Sequence, residues 1–169
     1  IEQEDIKKVK YLLKHGVDTS VKGRDGTSPF YNAVKRGNKD IVELLLSYRC
    51  FGFEQERLGH LFVALHHDYI EVFKLLVSHG WGVNHKSDDG MTVLHLEAVY
   101  GNTRAIQFLL IHGADLTVED NSGCTALRYG ELAGHEEAFE LLKRANDAKE
   151  NGEQVYEEFK RQLRAELNE

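Results

Sequence analysis

The residues best able to do chemistry in this 169-residue chain are its nine histidines, two cysteines and 28 carboxylates. Imidazoles ligate metals and move protons near neutrality, but either task needs partners at defined spacings. His66 and His67 are consecutive, so on a helix their side chains diverge. His135-Glu136-Glu137-Ala138-Phe139 lacks the second histidine of a zinc-protease helix. No phosphate-cradling G-x-x-x-x-G-K-[ST], nucleophile elbow or dinucleotide fingerprint occurs. Cys50 and Cys124 are too far apart in sequence for a zinc module and too few for a disulfide framework. The carboxylates are plentiful, and none is marked by pattern as a buried pair. No catalytic residue, metal-ligand set or cofactor is therefore expected.

The elements that position these groups show in the spacing of glycines. Gly26, Gly90 and Gly123, then Gly37, Gly101 and Gly134, then Gly16, Gly80 and Gly113 form three ladders, each stepping by 64 and then 33 residues. Leu12, Leu45, Leu76, Leu109 and Leu142 step by 33, 31, 33 and 33, which puts a two-residue deletion between Leu45 and Leu76. Such a period signals stacked repeats, in which each unit buries the apolar face of its neighbour. Within a unit the order is turn, short helix, tight bend, longer helix, loop. Ser28, Thr92 and Thr125 stand at helix N-caps. Apolar side chains recur at helical spacing in Ile41-Val42-Leu44-Leu45-Leu46 and Ala105-Ile106-Phe108-Leu109-Leu110.

Ser28-Pro29-Phe30-Tyr31, Thr92-Val93-Leu94-His95 and Thr125-Ala126-Leu127-Arg128 resemble the T-P-L-H signature of ankyrin repeats. Gly113-Ala114-Asp115 and Gly16-Val17-Asp18 resemble the G-A-D loop of that family. The resemblance covers roughly residues 5–144. It implies an all-α solenoid of helix-turn-helix units joined by β-turn or hairpin loops, and a structural hydrogen-bonding role for His95. In this register residues 1–22 are a partial repeat and 23–53, 54–86, 87–119 and 120–147 are repeats, together an ankyrin domain over 1–147. The half repeat at the start suits a fragment of a longer array or a private cap. Residues 148–169 form a further amphipathic helix with Val155, Phe159, Leu163 and Leu167 on one side and Tyr156 beside them. It serves as a cap on the last repeat or as a partner-binding helix. His15, His79 and His112 share one position, the last turn of the second helix, where an imidazolium complements the helix dipole.

The junction between the second and third repeats departs from the pattern. Arg49 replaces a loop glycine, Asp68 a bend glycine and Gly59-His60 the Thr-Pro cap. Phe51 and Phe53 are expected to pack under the shortened loop. Trp81 stands where the loop signature has alanine, either as an interface anchor or folded back into the gap left by that loop.

With a net charge of −7, nucleic acid is excluded as a first partner, because phosphate binding needs a concentrated basic surface. No apolar run is long enough to cross a bilayer, and no secretory signal is visible. The expected function is a non-catalytic protein–protein interaction module: an adaptor, scaffold or inhibitor, monomeric, cytoplasmic or nuclear. The resemblance implies that turn tips and first helices line a concave binding face. Register assigns to it Lys35, Arg36, His66, His67, Asp88, Asp89, Met91, Val99, Tyr100 and Leu132, with Trp81 beside it. Two alternatives stay open: an engineered ankyrin scaffold, which the irregular third repeat argues against, and a ligand-sensing ankyrin domain of a larger protein.

Overall fold

The computed structural model describes residues 2–50 and 56–168, and among these the chain forms ten α-helices and no β-strand. Phe51 and Phe53 lie outside the described residues. The chain divides into two compact units, Ile1–Trp81 and Gly82–Glu169. The division falls inside the third expected repeat.

The first unit holds α1 (Glu2–Lys14), α2 (Pro29–Lys35), α3 (Lys39–Ser47), α4 (Arg57–His66) and α5 (Ile70–Ser78). Helices α2/α3 and α4/α5 are hairpins, whereas α1 is a second helix only, and it packs on α3. Ser28 caps α2 by accepting the Tyr31 N–H at 3.1 Å, and Pro29 fills the first helical position. Helix α4 starts differently. With Gly59-His60 in place of the usual cap, it begins at Arg57 without a side-chain cap.

Each hairpin turns over one residue of positive φ. The amides of Gly37 and Asn38 donate to Val34 and Ala33 at 2.9 and 3.1 Å, and those of Asp68 and Tyr69 donate to Leu65 and Ala64 at 2.9 and 2.7 Å. This pair of bonds satisfies carbonyls that the helix end would otherwise leave open. Asp68 adopts φ 60° and Arg49 φ 58°, so both non-glycine substitutes keep the left-handed turn of the residues they replace.

The second unit holds α6 (Val93–Tyr100), α7 (Thr103–Ile111), α8 (Ala126–Ala133), α9 (Glu136–Glu150) and α10 (Glu153–Leu167). Helices α6/α7 and α8/α9 are hairpins, and α6 packs along α8. The turn before each first helix is closed by the same bond, Ser87 N–H to the Met91 carbonyl at 2.8 Å and Asp120 N–H to the Cys124 carbonyl at 3.0 Å. In the first unit Gly23 N–H donates to the Thr27 carbonyl at 2.8 Å in the same way. These turns stand where β-turn or hairpin loops were expected, and among the described residues they form without strand pairing.

Four of the five ladder leucines are core. Leu45, Leu76, Leu109 and Leu142 are 2% exposed or less, each burial stabilising by about 1.5–3 kcal/mol. Leu12 is the exception at 49% exposed. Among the described residues no first helix packs on α1, whereas its neighbour Leu13 is buried like its counterparts Leu46 and Leu110.

Helix α9 continues to Glu150, so the domain boundary expected at residue 147 falls inside a helix, and the break comes at Asn151-Gly152. Helix α10 packs on α9 and α7, along the second helices. Its buried side is Tyr156, Phe159 and Leu163, while Val155 is exposed and Leu167 half-buried. Phe159 and Leu163 are thus buried as their spacing predicts, while Tyr156 takes the inward place expected of Val155. Gln107 donates to Glu166 at 3.0 Å, and Lys149 pairs with Asp115 at 3.0 Å, which ties the tail region to the hairpins.

Candidate interaction surface

The first helices end on equivalent positions. Lys35 and Arg36 close α2, and His66 and His67 close α4; all four side chains are exposed. His66 stacks on Phe62 with centroids 4.9 Å apart, and His67 stacks on Tyr69 at 5.7 Å. Tyr69 lies so close over the preceding bend that a Cβ on Gly37 would sit 2.6 Å from its ring. The two helix ends are thereby held side by side.

In the second unit the same positions carry apolar groups. Val99 and Tyr100 end α6, and Leu132 and Ala133 end α8. Tyr100 is 57% and Leu132 61% exposed; Val99 is half-buried. At the turn tips the carbonyls of Asp88 and Asp89 accept from the Asn121 side chain and amide, each at 2.9 Å. Their carboxylates stay exposed, and Met91 is half-buried beside them. Asp120 organises the next turn by accepting from the amides of Ser122 and Cys124 at 2.9 Å and from the Tyr129 hydroxyl at 2.6 Å, which holds its carboxyl below the usual range.

Trp81 corrects the expectation of a surface anchor. It is 2% exposed, with its ring 5.5 Å from Phe30 and 5.3 Å from His60, and the Arg57 guanidinium 5.7 Å from its centroid. The side chain fills space inside the first unit and offers nothing to a partner.

Five of the nine histidines serve the packing of the repeats. His15, His79 and His112 each bond through Nδ1 to the carbonyl four residues back, those of Tyr11, Leu75 and Phe108, at 2.8, 2.9 and 2.8 Å. They close the ends of the second helices. His95 joins the Thr92 hydroxyl at 2.8 Å and, through Nε2, the Cys124 carbonyl at 3.1 Å, linking α6 to the following turn. His60 is fully buried among Phe30, Tyr31 and Trp81, and desolvation pulls its pKa down to about 4. Among the described residues no three His, Cys, Asp or Glu side chains converge on a point that could hold a metal ion.

One unusual group escaped sequence reasoning. Glu97 is fully buried on α6, and desolvation pushes its pKa up to about 8, with the nearby Asn102 side chain acting in the opposite direction. Its repeat equivalents are Ala33, Ala64 and Gly130. Alignment of the first helices would have exposed it as a carboxyl in a small-residue position.

Paired helices, bends of positive φ and the caps at Ser28, Thr92 and Thr125 recur at the spacing read from the sequence, and a sequence profile of ankyrin repeats (three copies) matches residues 1–87 and 61–153. The chain belongs to the ankyrin-repeat family. It is 31% identical to putative ankyrin repeat protein FPV031 of fowlpox virus over 79% of its length and 42% of that protein. It is 26% identical to potassium channel AKT1 of Arabidopsis thaliana over 83% of its length and 20% of the channel. With human transient receptor potential cation channel subfamily A member 1 it shares 21% identity over 94% of its length and 12% of that protein. The chain thus spans less than half the length of each of these relatives. Ankyrin repeats generally mediate protein–protein interaction and are typically non-enzymatic. Among the described residues no helix is long and apolar enough to cross a membrane.

Proposed function

We propose that this chain is a non-catalytic interaction module of a cytoplasmic or nuclear protein, working as an adaptor, scaffold or inhibitor, that holds a partner against the ends of its first helices. The observation that carries the reading is the exposure of Tyr100 and Leu132 at helix ends where a charged residue would stand in water at no cost. Exposed apolar side chains with polar neighbours are how interaction sites look. Lys35, Arg36, His66 and His67 supply the equivalent contacts in the first unit. Asp88, Asp89 and Met91 supply the turn-tip contacts, and Val99 the half-buried floor next to Tyr100. The acidic surplus lies in residues 82–169, with 9 Lys and Arg against 17 Asp and Glu, whereas residues 1–81 carry 12 against 11. A partner for the second unit would therefore carry cations around an apolar anchor.

Affinity capture with the intact chain and with a Tyr100→Ala/Leu132→Ser double variant tests this. Both side chains are exposed, so the melting temperature should hold while one specific partner is lost. A partner retained at full affinity by the variant would refute the assignment. A second reading, a ligand-sensing module within a larger protein, draws support from the channel relatives, of which the matched stretch is 20% and 12%.

A further inference from the structure

Within the unit Ile1–Trp81 the first helices α2 and α4 pack side by side, and the repeat register sets His66 and His67 at the positions of Lys35 and Arg36. Both imidazoles are exposed and both are held, His66 stacked on Phe62 at 4.9 Å and His67 on Tyr69 at 5.7 Å. Side chains already fixed in place lose little freedom when a partner arrives. In the unit Gly82–Glu169 the equivalent helix ends carry Val99 with Tyr100 and Leu132 with Ala133, so the paired ionisable groups belong to the first unit.

The fixed charges around the two imidazoles balance. Helix α2 ends in Lys35 and Arg36, and α3 starts with Lys39 and Asp40. The turn before α2 adds Arg24 and Asp25. Asp25 accepts from the Thr27 amide and hydroxyl at 3.1 and 2.7 Å and lies close enough to Lys35 to feel its charge. The bend after α4 adds Asp68. Helix α5 adds Glu71, which pairs with Lys39 at 3.4 Å, and the half-buried Lys74. At the other end of α4, Glu56 pairs with Lys22 at 2.8 Å and the Arg57 guanidinium lies over the Trp81 ring. The exposed groups at the helix ends and turn tip are thus four cations against four carboxylates. With neutral imidazoles this surface carries no net charge. Protons on His66 and His67 leave it cationic, and imidazole is the side chain whose charge ordinarily changes between about pH 5 and 8.

We propose that the ends of α2 and α4 form an acid-responsive docking site for an extended acidic segment of a partner protein, held by Lys35 and Arg36 and, once protonated, by His66 and His67. The inference rests on the helix-end reading above and gives it a partner chemistry and a control. Packed helices lie about 8–10 Å apart, and a polyproline-II chain repeats every three residues over about 9 Å. A carboxylate at every third residue therefore meets Lys35 and Arg36 on one helix and His66 and His67 on the next, and opposite charge favours that encounter. Tyr31 and Phe62, half-buried and one turn earlier on each helix, offer flat rings to the residues between.

Fluorescence anisotropy on the intact chain, with a labelled peptide of four Glu-Pro-Pro repeats, tests this at pH 7.5 and 5.5, where the glutamates stay ionised. Binding should be saturable, tighten by about threefold or more in the acid buffer and weaken as salt rises. His66→Gln/His67→Gln should remove the pH response. Lys35→Glu/Arg36→Glu should weaken binding by about tenfold or more at both pH values. All four side chains are exposed, so far-UV circular dichroism should be preserved; should the charge reversal lose helicity, Lys35→Gln/Arg36→Gln replaces it. The proposal is overturned by absence of saturable binding at pH 5.5, by a pH response that survives in the histidine variant, or by equal affinity in a folded variant of Lys35 and Arg36. Tighter binding of a uridine dodecamer than of the peptide also overturns it, by giving the surface to phosphate backbones. Peptide affinity should be unchanged in Tyr100→Ala/Leu132→Ser. A peptide that fails to bind, while that variant loses a captured partner, removes this inference alone. A peptide that binds as described, while the variant keeps its partner, removes the apolar anchor and leaves this site standing.

Discussion

Glu97 offers a sharp test of the packing described above. Its carboxyl is fully buried on α6 and ionises at about 8, against 4.5 for an ordinary glutamate. The folded chain therefore binds a proton more tightly than the unfolded chain between those two values. Stability contributed by the neutral carboxyl is complete below pH 4.5 and declines as pH rises through 8. The slope is about 1.4 kcal/mol per pH unit, which amounts to about 3 kcal/mol by pH 7. Glu97→Gln keeps the shape and removes the titration. Urea unfolding followed by far-UV circular dichroism at several pH values, with the variant subtracted from the parent, isolates this group from the others that titrate. The two proteins should converge near pH 4.5 and diverge steadily to pH 8, the glutamine variant being the more stable. A difference that stays flat across this window would show that Glu97 reaches solvent in the folded chain. The placement of α6 against its neighbours would then be wrong at that point.

Other expectations follow from individual contacts. His60, held neutral with a pKa near 4 against an ordinary 6.5, should destabilise the first unit as pH falls from 6.5 to 4, by about 3 kcal/mol at most. Trp81 emission reports the opening, since the rings lie 5.3 Å apart, and His60→Leu should flatten the profile. Leu163, 1% exposed, anchors α10; Leu163→Ala should cost about 2–4 kcal/mol and raise amide exchange along residues 153–167 before the rest of the unit. At Gly101, φ is 69° and a Cβ would fall 2.5 Å from the His135 ring. Gly101→Ala should therefore lower stability by more than the about 1 kcal/mol that strained backbone alone costs, whereas Gly134→Ala, at φ 72° with nothing near, should show the strain alone. Equal melting shifts for the two glycine variants would contradict this packing.

Much of the fold was legible because it is periodic. Glycine ladders placed three of the four hairpin bends, leucine spacing found the two-residue deletion, and His95 and the Ser/Thr caps sat where repeat logic required. Asp68 and Arg49 showed that register outranks residue type, since both keep a left-handed turn without glycine. Where periodicity was silent, so was the sequence. Trp81 had two equally available fates, and only its contacts with Phe30, His60 and Arg57 decided for the interior. On α10 Phe159 and Leu163 were read correctly and Val155 was not, because a four-residue spacing drifts around a helix of 3.6 residues per turn and only the surface it meets selects Tyr156 over Val155.

By itself, the sequence determined the repeating hairpins, their caps and bends, and which helix ends carry basic, imidazole or apolar side chains. These depend on interactions within about four residues, or on a period that copies them. The tertiary structure alone decided that Glu97 and His60 are desolvated, that Leu12 is open while its counterparts are closed, and that α10 lies along α7 and α9. Each of those facts depends on which surfaces meet, and burial is a property of the neighbours a side chain acquires rather than of the side chain.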